Sequence, residues 1–141
     1  MRLNENYIEL KIFDFENHEE ISNILNLKPT NVWKKGEEYL FGDKTKGIKK
    51  IRKENYWEYR SKEITNEWIG NQIEKFIKEI IEPRIELIKK ISNKFHSEFS
   101  VVQYMYDGCN PGLYFDKKIL KVINECGLEL NIDFYVLQGT E

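Results

Sequence analysis

Two histidines, two cysteines and one cluster of lysines carry most of the chemical potential of this chain. His18 and His96 each fall near the end of a predicted helix, and neither pairs with a second ligand at a spacing such as H-x-x-x-H or C-x-x-C. Zinc needs three or four converging N, S or O ligands, so no metal site is assigned. Cys109 lies in the loop Asp107-Gly108-Cys109-Asn110-Pro111-Gly112. A cysteine nucleophile requires a neighbouring base that lowers its pKa, and His96 is the only histidine close to it in sequence. Glycine signatures of nucleotide binding and the G-x-S-x-G elbow of acyl hydrolases do not occur. Acidic pairs such as Glu37-Glu38 are adjacent rather than convergent, so a two-carboxylate acid/base site has no footing. The residues therefore assign no catalytic group and no cofactor.

The basic cluster is a different kind of signal. Lys44 to Lys53 holds six cations and no acid, and residues 34–53 together carry a net charge of +5 in a chain whose total is −2. Six phosphate contacts would give a salt slope of about −5, with Tyr39, Phe41, Tyr56, Trp57 and Tyr59 available to stack on bases. Against that, the rest of the chain is acidic and would repel nucleic acid. The same cations suit an acidic protein partner, where complementary charge speeds association and selects the partner. Trp33 and Trp57 read either as core plugs or as interface hot spots. The candidate partner-binding set is therefore Trp33, Lys34, Lys46, Lys49, Lys50, Arg52 and Trp57.

Positioning these residues falls to a short series of elements. Ile8, Leu10 and Ile12 alternate with polar neighbours and predict a first strand. Asn17 caps a helix containing Ile21, Ile24 and Leu25, with Glu19 and Glu20 in its first turn, and Pro29 follows its end. Val32-Trp33 and Tyr39-Leu40-Phe41 read as brief strands, Lys44 to Lys53 as a loop or hairpin, and Asn55 to Ser61 as an aromatic strand. From Asn66 to Phe95 the apolar spacing is helical, with a kink or break expected at Pro83. Phe99 to Tyr106 is a strand, Leu113-Tyr114-Phe115 another short one, and Asp116 caps a helix burying Ile119, Leu120, Val122 and Ile123. Gly127 closes that helix, and Leu128 to Val136 alternate as a last strand. The expected architecture is α+β: a mainly antiparallel curved sheet packed against a long kinked helix and two shorter helices. Tyr7–Arg60 and Phe99–Val136 are both strand-helix-strand units, which suggests an internal duplication.

At 141 residues the chain suits a single domain spanning 1–141. It is 40% hydrophobic and 33% charged, the balance of a globular protein rather than of a disordered chain or a basic nucleic-acid packer. Ile, Lys and Asn make up 49 residues and Ala none, the bias of an AT-rich bacterial genome. Neither a signal peptide nor a run of about 20 apolar residues is visible, so a cytoplasmic protein is expected. Cys109 and Cys126 should then remain unpaired.

Leu27-Lys28-Pro29-Thr30-Asn31-Val32-Trp33-Lys34-Lys35-Gly36-Glu37, then Asn55-Tyr56-Trp57-Glu58-Tyr59, then a long helix through Glu82-Pro83, resembles a bacterial family of small proteins catalogued as a domain of unknown function. The likeness runs from the opening strand to the closing Leu-x-Leu-x-Ile-x-Phe strand and centres on the motif Pro-Thr-x-x-Trp-x-x-Gly-Glu. It implies an α+β fold with a curved sheet and carries over no catalytic residue. Some relatives look like immunity proteins of LXG-type polymorphic toxins, which implies a cognate toxin domain as partner. A small-ligand protein or an unrecognised enzyme, with a pocket between sheet and helices, is the alternative.

Overall fold

The computed structural model describes residues 2–42, 47–106, 108 and 112–137. β1 (Glu5–Phe13) is the middle strand of a five-stranded sheet. It pairs antiparallel with β5 (Tyr56–Ile64) on one side and with β6 (Ser97–Met105) on the other. β2 (Asn31–Trp33) adds to the outer edge of β5, and β7 (Glu129–Val136) lies parallel to β6, giving the order β2-β5-β1-β6-β7. β3 (Glu38–Phe41) and β4 (Ile48–Ile51) form a separate hairpin. It is tied to the chain beside β2 by the amides of Gly36 and Arg52, which bond to the carbonyls of Arg52 and Glu37. The mainly antiparallel α+β sheet is therefore as expected. The two strand-helix-strand units are not equivalent: β1 and β5 are antiparallel, whereas β6 and β7 are parallel with a helix crossing between them.

Strand alternation places Ile8, Leu10, Ile12, Trp57, Phe99 and Val101 on one face of the sheet, and all are buried. The helices pack on that face. α1 (His18–Leu25) contributes Ile21 and Leu25; it starts at Asn17, whose side chain accepts from the Glu19 amide, and ends at Asn26 in the left-handed conformation. The long helical unit comprises α2 (Ile69–Phe76), a π-helical turn (Ile77–Ile81), a 3-10 turn (Glu82–Arg84) and α3 (Ile85–Ser92). The break falls at Pro83, which has no amide hydrogen to continue the ladder and whose ring crowds the preceding turn. Arg84 repairs the site with its side chain, donating to the carbonyls of Ile80 (3.1 Å) and Leu25 (2.7 Å) and so joining the broken helix to the end of α1.

α4 (Lys117–Glu125) is capped by Asp116, which accepts from the amide of Ile119, and it buries Ile119, Val122 and Ile123. Two expectations need correction here. Leu113-Tyr114-Phe115 is not a strand but a stretch of coil leading into α4. Leu120 is exposed, because it lies to one side of the stripe formed by Ile119, Val122 and Ile123. On β7, Leu130 and Ile132 share the core-facing side with Phe99 and Val101, yet each is 39% exposed, since β7 is the edge of the sheet. No helix among the described residues is long and apolar enough to cross a membrane.

Candidate functional site

The face of the sheet turned away from the helices carries the chemistry. The register sets Glu9, opposite Arg60 on β5 and Ser100 on β6, on this side. Glu58 is diagonal to Glu9, across from Lys11. Both carboxylates are only 2% exposed, and a single guanidinium serves both: Arg60 Nε lies 2.9 Å from Glu9 and Arg60 Nη2 3.0 Å from Glu58. Tyr56 Oη and Asn31 Nδ2 also donate to Glu58. Burial and the neighbouring Glu58 push the Glu9 carboxyl up to about 7. Burial acts on Glu58 in the same direction, but the bonds it accepts from Glu9, Tyr56 and Asn31, with Arg60, hold it below the usual carboxylate range. Below about pH 7 the pair therefore holds one proton, on Glu9, and one negative charge, on Glu58, paired with Arg60. Burial and hydrogen bonding to Glu58 hold the Tyr56 phenol above its ordinary range.

Aromatic rings flank this polar centre on both sides. Toward β2, Tyr56 stacks on Trp33 at 4.1 Å and meets Phe13 edge-on at 5.1 Å. Arg52 then caps the row, its guanidinium 3.9 Å from the Trp33 ring and 3.7 Å from the Tyr39 ring. A cation held between two aromatic faces fixes all three side chains. Toward β7, Tyr7 meets Tyr104 edge-on at 6.0 Å and Tyr104 stacks on Tyr135 at 4.8 Å. Arg2 lies over Tyr106 at 3.8 Å, and Arg60 over Tyr7 at 5.0 Å. A depression of about 560 Å³ opens between these tyrosines and Glu9, Lys11 and Arg60.

The candidate residues named from sequence divide accordingly. Trp33 and Arg52 come together at the hinge between sheet and hairpin, and both are partly exposed. Lys34 is exposed in the turn after β2, and Lys49 and Lys50 are exposed on β4, with Lys50 Nζ 4.2 Å from the Phe41 ring. Lys46 and Cys109 lie outside the described residues. Trp57 does not belong to the surface set: it is 0% exposed, on the helix face, and its indole donates to Ser22 of α1 at 3.0 Å. The other cysteine, Cys126, is buried and free, and burial pushes its thiol up to about 12. Such a thiol is not a nucleophile at neutral pH.

Sequence reasoning missed two features of this face. The Glu9–Glu58–Arg60 centre requires the β1–β5 register, although Glu9 alternating with Ile8 and Leu10 already places it on the side opposite the core. At the other end, His96 and Glu98 stand two residues apart at the start of β6, and parallel pairing adds Glu129 of β7. One ligand atom from each of the three lies within 4.8 Å of the others. H-x-E leading into a strand is visible in sequence, but its meeting with Glu129 is not.

These features define a class by construction: an α+β chain with all its helices on one side of an open sheet and a polar, aromatic face on the other. Within that class the chain belongs to the family described as "Domain of unknown function (DUF4279)", whose model matches residues 4–137 and so takes in every strand and helix among the described residues. No curated protein and no solved structure matches it.

Proposed function

We propose that this protein is a protein-binding domain, most concretely an immunity protein that neutralises a cognate toxin domain by docking through the open sheet face and the adjoining hairpin. The observation that carries the reading is the Tyr39–Arg52–Trp33–Tyr56 row. Aromatic and arginine side chains dominate interface hot spots because they bring large contact area at low entropic cost, and here they are stacked into place before any partner arrives. The tyrosines at the β7 end extend the same chemistry across the face. Exposed Leu40, Phe41, Ile48 and Ile51 on the hairpin add apolar area beside exposed lysines, a combination suited to an acidic partner with an apolar centre. The test is co-expression with the toxin domain encoded beside the gene, followed by a pull-down of the purified pair. Rescue of growth and a one-to-one complex support the reading; continued toxicity, or no toxin gene in the neighbourhood, contradicts it.

A second reading, a small-ligand protein, draws on the depression above Glu9 and Arg60 rather than on the space between sheet and helices, which Ile8, Leu10, Phe99 and the helical isoleucines line as a continuous core. Saturable binding of a small molecule, lost in Arg60→Met, would favour it.

A further inference from the structure

We propose that His96, Glu98 and Glu129 form a binding site for a divalent transition-metal ion, with zinc the best match. Glu98 and Glu129 come from the adjacent strands β6 and β7, and His96 is the residue just before β6. The Phe13 amide bond to the His96 carbonyl extends the β1–β6 pairing by one residue, His96 lies beside Glu98, and Glu129 stands opposite Glu98 in the β6–β7 register. His96 Nε2 lies 2.5 Å from Glu98 Oε2, and His96 Nδ1 3.5 Å from Glu129 Oε2. Ligand atoms around a tetrahedral zinc ion sit about 3.4 Å apart; the two carboxylates here face different nitrogens of the ring, so one nitrogen shares an ion with both only after rotation of the side chains, whose ligand atoms start within 4.8 Å of one another.

Groups outside the cluster hold its members. The Phe13 ring packs 5.3 Å from the imidazole, and the Phe13 amide bonds to the His96 carbonyl at 3.0 Å. Asn131 Nδ2 reaches the second oxygen of Glu98 at 3.4 Å. Outer partners of this kind fix ligand orientation in metal sites. One imidazole and two carboxylates neutralise a divalent charge and favour zinc and its transition-metal neighbours over magnesium or calcium, which prefer all-oxygen sets. His96 and Glu129 are exposed, so coordination positions remain open to water or to a side chain of a binding partner.

An imidazolium bridging two carboxylates has the same geometry without metal, and a zinc titration separates the two. The experiment is calorimetric titration of the full chain with zinc chloride at pH 7.5, in a Cys109→Ser background so that this thiol supplies no ligand. Cobalt absorption spectra report the donor set, and circular dichroism checks each variant's fold. The expected result is one-to-one binding that His96→Ala and Glu98→Gln each weaken roughly tenfold or more and that His18→Ala leaves unchanged. His96→Gln, which keeps a polar side chain of similar size, should lose binding as His96→Ala does. Absence of saturable binding by the parent protein, or binding that survives both His96 variants, overturns the proposal.

Discussion

Arg60 and Glu9 stand directly opposite each other on β5 and β1, the guanidinium Nε 2.9 Å from a carboxyl oxygen that is almost wholly shielded from solvent. Because the same guanidinium also holds Glu58, the middle of the open face is a rigid polar floor on which the flanking aromatic rings rest.

The proton on Glu9 gives this floor a pH signature. Its folded pKa lies above its unfolded value, so native protein binds more protons than unfolded protein between about pH 4.5 and 7. Glu9 therefore contributes stability that is fully present below the unfolded pKa and is lost as pH rises through 7. Glu9→Gln, which keeps an uncharged hydrogen-bonding group beside Glu58, should abolish that decline. Thermal melts from pH 5 to pH 8 check it: the fall in Tm should be present in the parent protein and absent in the variant.

Removing the cation should have the opposite character. Arg60→Met leaves Glu58 without its cation and Glu9 with only the longer contact to Lys11 at 3.9 Å, and breaking a buried ion pair from one side is strongly destabilising. Since the arginine is itself partly exposed, a loss of about 2–3 kcal/mol is expected. Urea unfolding at pH 7 measures it, and the additional change Glu9→Gln should recover part of the loss.

At the end of α4, Gly127 has φ of 72° and a Cβ placed there would lie 2.5 Å from Ser92 Oγ. That hydroxyl already donates to the Cys126 carbonyl at 2.6 Å. Gly127→Ala should therefore cost about 1–2 kcal/mol for the left-handed backbone, together with the loss of the Ser92 bond. Gly127→Ala and Ser92→Ala should be less than additive in a double-mutant cycle.

The two tryptophans of adjacent strands should differ in what their removal costs. Trp57→Ala empties a buried core position and breaks the bond to Ser22, costing about 3–5 kcal/mol. Trp33→Ala removes a partly exposed ring from an edge strand and should cost about 1 kcal/mol or less in folding. Chemical unfolding of both variants makes the comparison.

The strongest local signals in the sequence are those the fold follows most closely. Alternation at Ile8, Leu10 and Ile12 defines β1, Asn17 and Asp116 cap helices through their side chains, and Pro83 interrupts the long helix where its missing donor requires. What depends on strand pairing is not legible. The apolar alternation of β7 reads as a buried strand, but its parallel pairing at the sheet edge leaves Leu130 and Ile132 half covered. Trp33 and Trp57 look alike in sequence because both belong to aromatic strands; only the register, with Val32 opposite Trp57 and Trp33 opposite Tyr56, sends one to the open face and the other into the core. Glu9, Glu58 and Arg60, like His96, Glu98 and Glu129, meet through contacts between strands distant in sequence.

The most direct test of the proposed recognition role is the affinity of the purified protein for any toxin domain encoded beside its gene, measured for the parent chain and for Trp33→Ala and Tyr104→Ala. A docking face centred on these rings predicts a loss of roughly 30-fold or more for Trp33→Ala, the scale of a hot-spot residue, with a smaller loss for Tyr104→Ala and both variants folded. Unchanged affinity in both variants would contradict it.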